Sequence, residues 1–187
     1  TLKAVVPQYA KEFKEAYPNA KILVPTDADF TTANRKRLLS SIATGDYDAI
    51  IIAPQFTNGS DCIGIKCRTL LKEYLLTDLI NRYKIDTSKI SVTGHSMGAG
   101  ETVHLALDYP GFFSAVVPVS LCSASSSWGV KLINENVWAY HGKDDTSCLP
   151  SHSRDLVNYI NKAGGHAQLT IVSGGHAATK KAYQDNH

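Results

Sequence analysis

Ile90-Ser91-Val92-Thr93-Gly94-His95-Ser96-Met97-Gly98-Ala99-Gly100 is the stretch on which the fold turns. A β-branched apolar run ends in Gly-x-Ser-x-Gly and passes directly into a helix-like pattern. Strand, tight turn and helix in that order make the setting in which a serine becomes a nucleophile. The turn strains the serine backbone and lifts Ser96 clear of the sheet. Gly94 and Gly98, two residues to either side, are read as removing side chains that would collide. Small Ala99 and Gly100 are read as letting the helix approach the sheet. The amide of Met97 then points into the space in front of Ser96.

Outward from the elbow, strand and helix patterns alternate, which predicts an α/β fold with a mostly parallel sheet and helices on both faces. Upstream, residues 7–17 read as a helix, with Pro7 in its first turn and Tyr9, Phe13 and Tyr17 at i+4 spacing. Residues 21–25 and 48–54 read as strands, the second buried on both faces, with a helix over 31–43 between them. Residues 56–67 read as a loop, and 68–83 as an amphipathic helix through Leu71, Leu75 and Leu79. Strands are predicted over 88–93, 114–120, 136–141 and 168–172, and helices over 97–109, 151–163 and 177–183. Residues 121–129, with Ser125-Ser126-Ser127, read as a loop. The 187 residues are expected to form one domain.

Composition narrows the function classes. A net charge of +2 gives no bulk electrostatic case for nucleic acid or a membrane surface. No apolar run approaches the length of a membrane span, and no signal peptide is visible. Cys62, Cys67, Cys122 and Cys148 match no zinc spacing. Four cysteines do not require an oxidising compartment, so they are read as free thiols in a cytoplasmic protein, Cys62 and Cys67 being the pair close enough in sequence to bridge. No metal cluster is visible and no cofactor is expected.

A serine is a poor nucleophile at neutral pH without a base, and the base needs an orienting group. In open parallel sheets chemistry collects at the carboxyl ends of strands. His176 follows the strand over 168–172 through Ser173-Gly174-Gly175, so it is the candidate base. His166 precedes that strand, His104 lies inside a helix, His152 starts one, and His187 is terminal. His141 ends a strand and is read as supporting the acid loop. The acid follows the same strand: Asp144 and Asp145 both qualify, one of them as a mere turn cap. The order Ser96, Asp, His176 then emerges along the chain.

These motifs carry a resemblance. Residues 51–176 resemble a compact α/β-hydrolase, close to bacterial esterases grouped with feruloyl esterases and prolyl-oligopeptidase-like hydrolases. The matching residues are Ala53-Pro54-Gln55, Gly94-His95-Ser96-Met97-Gly98, His141-Gly142-x-x-Asp145 and Gly174-Gly175-His176. The family's His-Gly-x-x-Asp pattern selects Asp145 over Asp144. The resemblance implies ester hydrolysis through an acyl-serine, on a minimal α/β-hydrolase fold lacking the usual N-terminal antiparallel strands. Residues 2–52 depart from it and resemble a segment of phage and plasmid helicase-like proteins, through Ala16-Tyr17-Pro18-Asn19-Ala20, Asn34-Arg35-Lys36-Arg37 and Ile42-Ala43-Thr44-Gly45-Asp46-Tyr47-Asp48. A phosphate-binding Gly-rich loop with its lysine is missing there, so helicase activity does not carry over. The chain reads as a fusion in which the helicase-like segment supplies strand–helix–strand to a single hydrolase domain.

The expected activity is a serine carboxylesterase acting on small acyl or aryl esters. Ser96 is the nucleophile, His176 the base and Asp145 the orienting acid. The amide of Met97, with one from Thr26 or Asp27, forms the oxyanion hole in place of the family's usual His-Gly loop. Gln55, His95 and Trp128 are candidate pocket residues, between loops 56–67 and 121–129. A peptidase or thioesterase uses the same triad, and a non-catalytic nucleic-acid-binding remnant is the reading from another class. The partner expected is a small-molecule ester, with no nucleic acid and no membrane. The three isoleucines within 48–54 make an edge that invites pairing, predicting a homodimer or higher homo-oligomer, or coverage by residues 2–6.

Overall fold

β-branched and small apolar residues fill the segments Ser91–His95 (β3), Ala115–Val119 (β4), Trp138–Gly142 (β5) and Gln168–Val172 (β6), and these pair in that order as a parallel sheet. The structure is a computed structural model that describes residues 10–11, 14–15, 17–25, 32–44, 47–51, 64–83 and 85–177. It divides into two compact units, residues 1–85 with 186–187, and residues 86–185. The architecture is α/β, with parallel strands flanked by helices.

In the first unit, Ile22–Leu23 (β1) pairs in parallel with Ala49–Ile50 (β2), Ile22 opposite Ala49 and Leu23 opposite Ile50. The helix Thr32–Thr44 (α1) makes the crossover and buries Leu38 and Ile42, one turn apart on one face. The strand–helix–strand expectation holds, with shorter strands. Downstream, a single α-helix was expected over 68–83. The chain instead forms Ile65–Thr69 (α2), a π-helical stretch Leu70–Leu76, and Thr77–Arg82 (α3). The Thr77 hydroxyl donates to the carbonyl of Lys72, five residues back, at 2.9 Å, which suits the wider turn. Residues 2–6, 26–31, 52–63 and 178–187 lie outside the described residues. The folded-back strand, the final helix and the end of the isoleucine edge therefore fall there too.

In the second unit, β3 leads into Met97–Asp108 (α4), which packs on β3 and β4 and buries Ala99, Val103 and Ala106. Pro150–Lys162 (α6), with Pro150 at its start, packs on β5 and β6 through Leu156, Val157 and Ile160. The expected loop over 121–129 is in part a helix, Ser126–Lys131 (α5), packed on α6. Serines are frequent at helix starts. Gly129 also lets the two helices meet, since a Cβ there would lie 2.4 Å from the carbonyl oxygen of Tyr159. Fully buried Leu121, Leu132, Leu156, Val116 and Val119 fill the core.

The cysteine expectation is corrected. Cys122 and Cys148 form a disulfide across 26 residues, joining the segments that follow β4 and β5. Cys67 is disulfide-bonded as well, and among the described residues no cysteine is a free thiol. With the thiols goes the ground on which a cytoplasmic setting was expected. Among the described residues no helix is long and apolar enough to cross a membrane.

Candidate active site

The carboxyl ends of β3, β5 and β6 each carry one member of a hydrogen-bonded line. β3 pairs with β4 residue for residue from Ser91 opposite Ala115 to His95 opposite Val119. Ser96 therefore leaves the sheet one residue past the aligned edge, with its amide donating to the carbonyl of Val119 at 2.9 Å. Its φ of 58° is in the left-handed region, a conformation that costs an L-residue about 1–3 kcal/mol and recurs at functional sites. Gly94 is required, because a Cβ there would lie 2.3 Å from the carbonyl oxygen of Gly98. A Cβ on Gly98 itself, or on Gly100, would meet nothing within 4 Å. The crowding thus comes from one side of the serine, and Ala99, fully buried, is the small residue that seats the helix.

β5 and β6 pair from Trp138 opposite Gln168 to Gly142 opposite Val172, so the acid and base loops leave the sheet side by side. Two amides bind the loops together: Lys143 donates to Val172 at 2.8 Å and Asp144 to Gly174 at 3.0 Å. Gly142 is needed at this junction, since a Cβ would come within 2.2 Å of the Gly175 carbonyl oxygen. The result places His176 Nδ1 2.8 Å from Asp145 Oδ2 and His176 Nε2 2.9 Å from Ser96 Oγ. A carboxylate only accepts, so Nδ1 carries the proton and Nε2 is left to accept from the Ser96 hydroxyl. The carboxyl group of Asp145 is fully buried, while the side chain of His176 is 30% exposed. The imidazole is thus open to a substrate on one edge and anchored on the other. Asp144, the other candidate acid, is exposed.

Burial acts to raise the pKa of Asp145, but its hydrogen bonds outweigh that and hold it below the usual carboxylate range. The amides of Ser147 and Cys148 both donate to Oδ1 at 2.9 Å, and His176 donates to Oδ2. His141, fully buried, is the support that its position implied. Its Nε2 lies 2.8 Å from the carbonyl of Cys148 and 3.2 Å from Asp145 Oδ2, and its Nδ1 lies 2.7 Å from the Ser153 hydroxyl. A carbonyl only accepts, so Nε2 carries the proton and Nδ1 accepts from Ser153. Burial pushes the His141 pKa down, which keeps the ring neutral.

His95 Nε2 donates to the backbone carbonyl of His176, and the two rings sit 4.7 Å apart, so His95 meets the base loop. The Ser120 hydroxyl donates to the same carbonyl at 3.1 Å. Trp128 lies on α5 with its ring edge-on to His104, 5.3 Å away and about two turns along α4 from Ser96. Met97 opens α4, where the amide has no intrahelical acceptor, and its side chain is exposed. Thr26, Asp27 and Gln55 lie outside the described residues. Among the described residues no group of three or more His, Cys, Asp or Glu is arranged to hold a metal ion. Sequence reasoning missed Ser120, Cys122 and Cys148. The signal was present in all three, since each follows the carboxyl end of a strand.

Two family models match the chain. One, described as putative esterase, matches residues 62–180, and one described as probable helicase domain matches residues 1–104. The second runs past residue 52, through the elbow, so both cover 62–104. The cutinases est1 and est2 of Thermobifida alba are 32% and 30% identical to this chain over 110 and 109 residues, 57% of its length in each case. The chain spans only 36% and 35% of those two proteins. The crystal structure of a thermostable esterase aligns with a TM-score of 0.58 and 25% identity, over 63% of this chain and 34% of that one. A ferulic acid esterase aligns over 87% of this chain and 80% of its own, with a TM-score of 0.54 and 17% identity. The shared fold is that of the α/β-hydrolases.

Proposed function

As the chain belongs to the putative esterase family over residues 62–180, we propose that it is a serine carboxylesterase acting on small acyl or aryl esters. The observation that carries this reading is the unbroken line from Ser96 Oγ through His176 to Asp145, with spacings of 2.9 and 2.8 Å. Ser96 Oγ attacks the ester carbonyl while its proton passes to His176 Nε2. Asp145 holds the ring and stabilises the imidazolium that forms. The tetrahedral oxyanion faces the Met97 amide at the start of α4. One such donor is worth about 10²–10³ in kcat. Collapse expels the alcohol, which takes the proton from Nε2. Water then adds to the acyl-serine with His176 as base, and the carboxylic acid leaves.

The short connections after the elbow leave little chain for a lid, which supports small soluble esters over long-chain lipids. The Cys122–Cys148 disulfide supports an oxidising compartment over the reducing cytosol. The test is hydrolysis of p-nitrophenyl esters of graded acyl length by the native chain and by Ser96→Ala. The native chain should prefer acetate and butyrate. Ser96→Ala should lose at least about 1,000-fold in kcat. An alanine variant at native speed refutes the reading. A native chain faster on thioesters or on anilides points to the thioesterase or peptidase reaction of the same triad.

A further inference from the structure

The sheet that carries Ser96, Asp145 and His176 lacks one ladder bond at its β4–β5 seam, where the amides of Val116 and Ser120 donate to Asn136 and Tyr140 at 2.9 Å on either side of the gap. β3 and β4 pair at five positions, as do β5 and β6. Between β4 and β5 the register shows Val119 opposite Tyr140 and an isolated bridge from Val116 to Val137. Pro118, fully buried within β4, has no amide to give to a ladder. The seam divides the candidate site. Ser96 hangs from β3, on one side, while Asp145 and His176 hang from β5 and β6, on the other.

One covalent bond crosses the seam at its catalytic end. Cys122 lies three residues past β4 and Cys148 three residues past Asp145, with Cα atoms 4.6 Å apart. Cys122 Sγ is 3.7 Å from Ser96 Oγ. Cys148 meets the acid twice: its amide donates to Asp145 Oδ1 at 2.9 Å, and its carbonyl accepts from His141, which also reaches Oδ2. We propose that the Cys122–Cys148 disulfide is a positioning element of the reaction, tying the nucleophile half of the sheet to the acid–base half and holding Asp145 through the backbone of Cys148. This rests on the triad reading above. The groups that face Asp145 are His141 from β5 and His176 from the loop after β6. Cutting the bond leaves both in place but frees the Cys148 backbone that orders them.

The bond is open to attack, because Cys122 is exposed while Cys148 is buried. A phosphine such as TCEP attacks Cys122 Sγ and expels Cys148 as thiolate. Water then converts the thiophosphonium to phosphine oxide and the Cys122 thiol. The experiment compares the full chain oxidised, reduced with TCEP, and as the Cys122→Ser/Cys148→Ser double variant, with thiols counted and circular dichroism recorded. Ester hydrolysis is measured against pH. Loss of alignment by about 1 Å costs about 100-fold, so kcat should fall about 10- to 100-fold, with KM changed less than about threefold. The acid limb of kcat should move to higher pH, because Asp145 without the Cys148 amide is a stronger partner for a protonated imidazole. Reoxidation of the reduced chain should restore kcat. A Cys67→Ser chain should lose the same fraction on reduction, since Cys67 belongs to the other disulfide.

Native kcat in the reduced chain or in a folded double variant overturns the proposal. If the double variant does not fold, the reduced native chain decides. Should that chain unfold as well, the disulfide is a staple for the fold and the proposal is overturned. Loss that disappears in Cys67→Ser overturns it too. Activity of Ser96→Ala at native level is a separate failure, that of the triad reading.

Discussion

Gly142→Ala tests how the acid and base loops meet. The added Cβ would stand 2.2 Å from the Gly175 carbonyl oxygen and 2.4 Å from that of Gly174. Cβ atoms essentially never come within 3.0 Å of such a neighbour, so one loop must retreat by about 1 Å. The obstacles are backbone atoms, so no side-chain rotation relieves the clash. The retreat lengthens the pair of amide bonds from Lys143 and Asp144 to the β6 side, now 2.8 and 3.0 Å. It also carries His176 away from Ser96, across a hydrogen bond that measures 2.9 Å. Overpacking of this kind costs about 1–3 kcal/mol, or about 2–12 °C in Tm for a chain this size. A 1 Å misplacement of the base costs about 100-fold in kcat. Gly100→Ala is the matched control, since its Cβ meets nothing within 4 Å and it lies within α4. Alanine there should gain up to about 1 kcal/mol. The assay is thermal unfolding beside p-nitrophenyl acetate turnover for native chain and both variants. Native Tm and kcat in Gly142→Ala would refute the claim that the two loops touch backbone to backbone.

Asp145→Asn should lower kcat about 10⁴-fold with little loss of fold. The Asn oxygen can still take the Ser147 and Cys148 amides, but its amide group then faces His176 Nδ1 and selects the tautomer that cannot accept from Ser96. A folded variant within tenfold of native would contradict the tautomer argument. His141 governs acid stability, because its folded pKa is depressed by burial. As pH falls below about 6.5, the unfolded chain takes up a proton that the folded chain declines, so stability drops by up to about 1.4 kcal/mol per pH unit. His141→Asn should lower Tm at pH 8 and flatten its fall between pH 7 and 5. An unchanged slope would show that His141 does not report there. A second loss, below about pH 4, belongs to Asp145, whose folded pKa is also depressed, so that its contribution goes as the carboxylate protonates.

The elbow was legible in the sequence because a β-branched run, Gly94 and a helix of small residues are local features. The meeting of His176 and the acid loop with Ser96 was legible through one topological rule, that chemistry collects where parallel strands end. The choice of Asp145 over Asp144 needed the family pattern, since adjacent residues share a spacing and differ only in which way the turn points them. Other features lay beyond local pattern. Ser125-Ser126-Ser127 looks like loop until Gly129 is seen against Tyr159. The wide turn at Leu70–Leu76 was hidden because leucines four apart suit an α-helix as well. The disulfide depends on strand order, which brings residues 26 apart in sequence to the same edge. His95 was read as a pocket candidate, and its ring bond to the carbonyl of His176 was not legible because the partner lies 81 residues away.

In the proposed reaction, the division of labour at Asp145 is what lets the acid orient without taking the proton. Oδ1 is occupied by the amides of Ser147 and Cys148, which belong to the same turn. Oδ2 receives His176 at 2.8 Å and, less closely, His141 at 3.2 Å. Three donors are bonded to the carboxylate, and the His141 N–H, bonded to the Cys148 carbonyl, lies beside Oδ2, so a proton on either oxygen meets a donor already in place. Protonation of Oδ1 would confront two backbone amides that cannot rotate away. Protonation of Oδ2 would set an O–H against the N–H of His176. Both outcomes leave a buried donor unsatisfied, at about 1–3 kcal/mol each. In the proposed reaction the carboxylate therefore stays charged when His176 takes the serine proton, and the imidazolium is stabilised by a fixed neighbour within hydrogen-bonding distance. The neutral state of buried His141 belongs to the same economy. A second cation beside Oδ2 would compete for the charge that His176 needs when it turns positive.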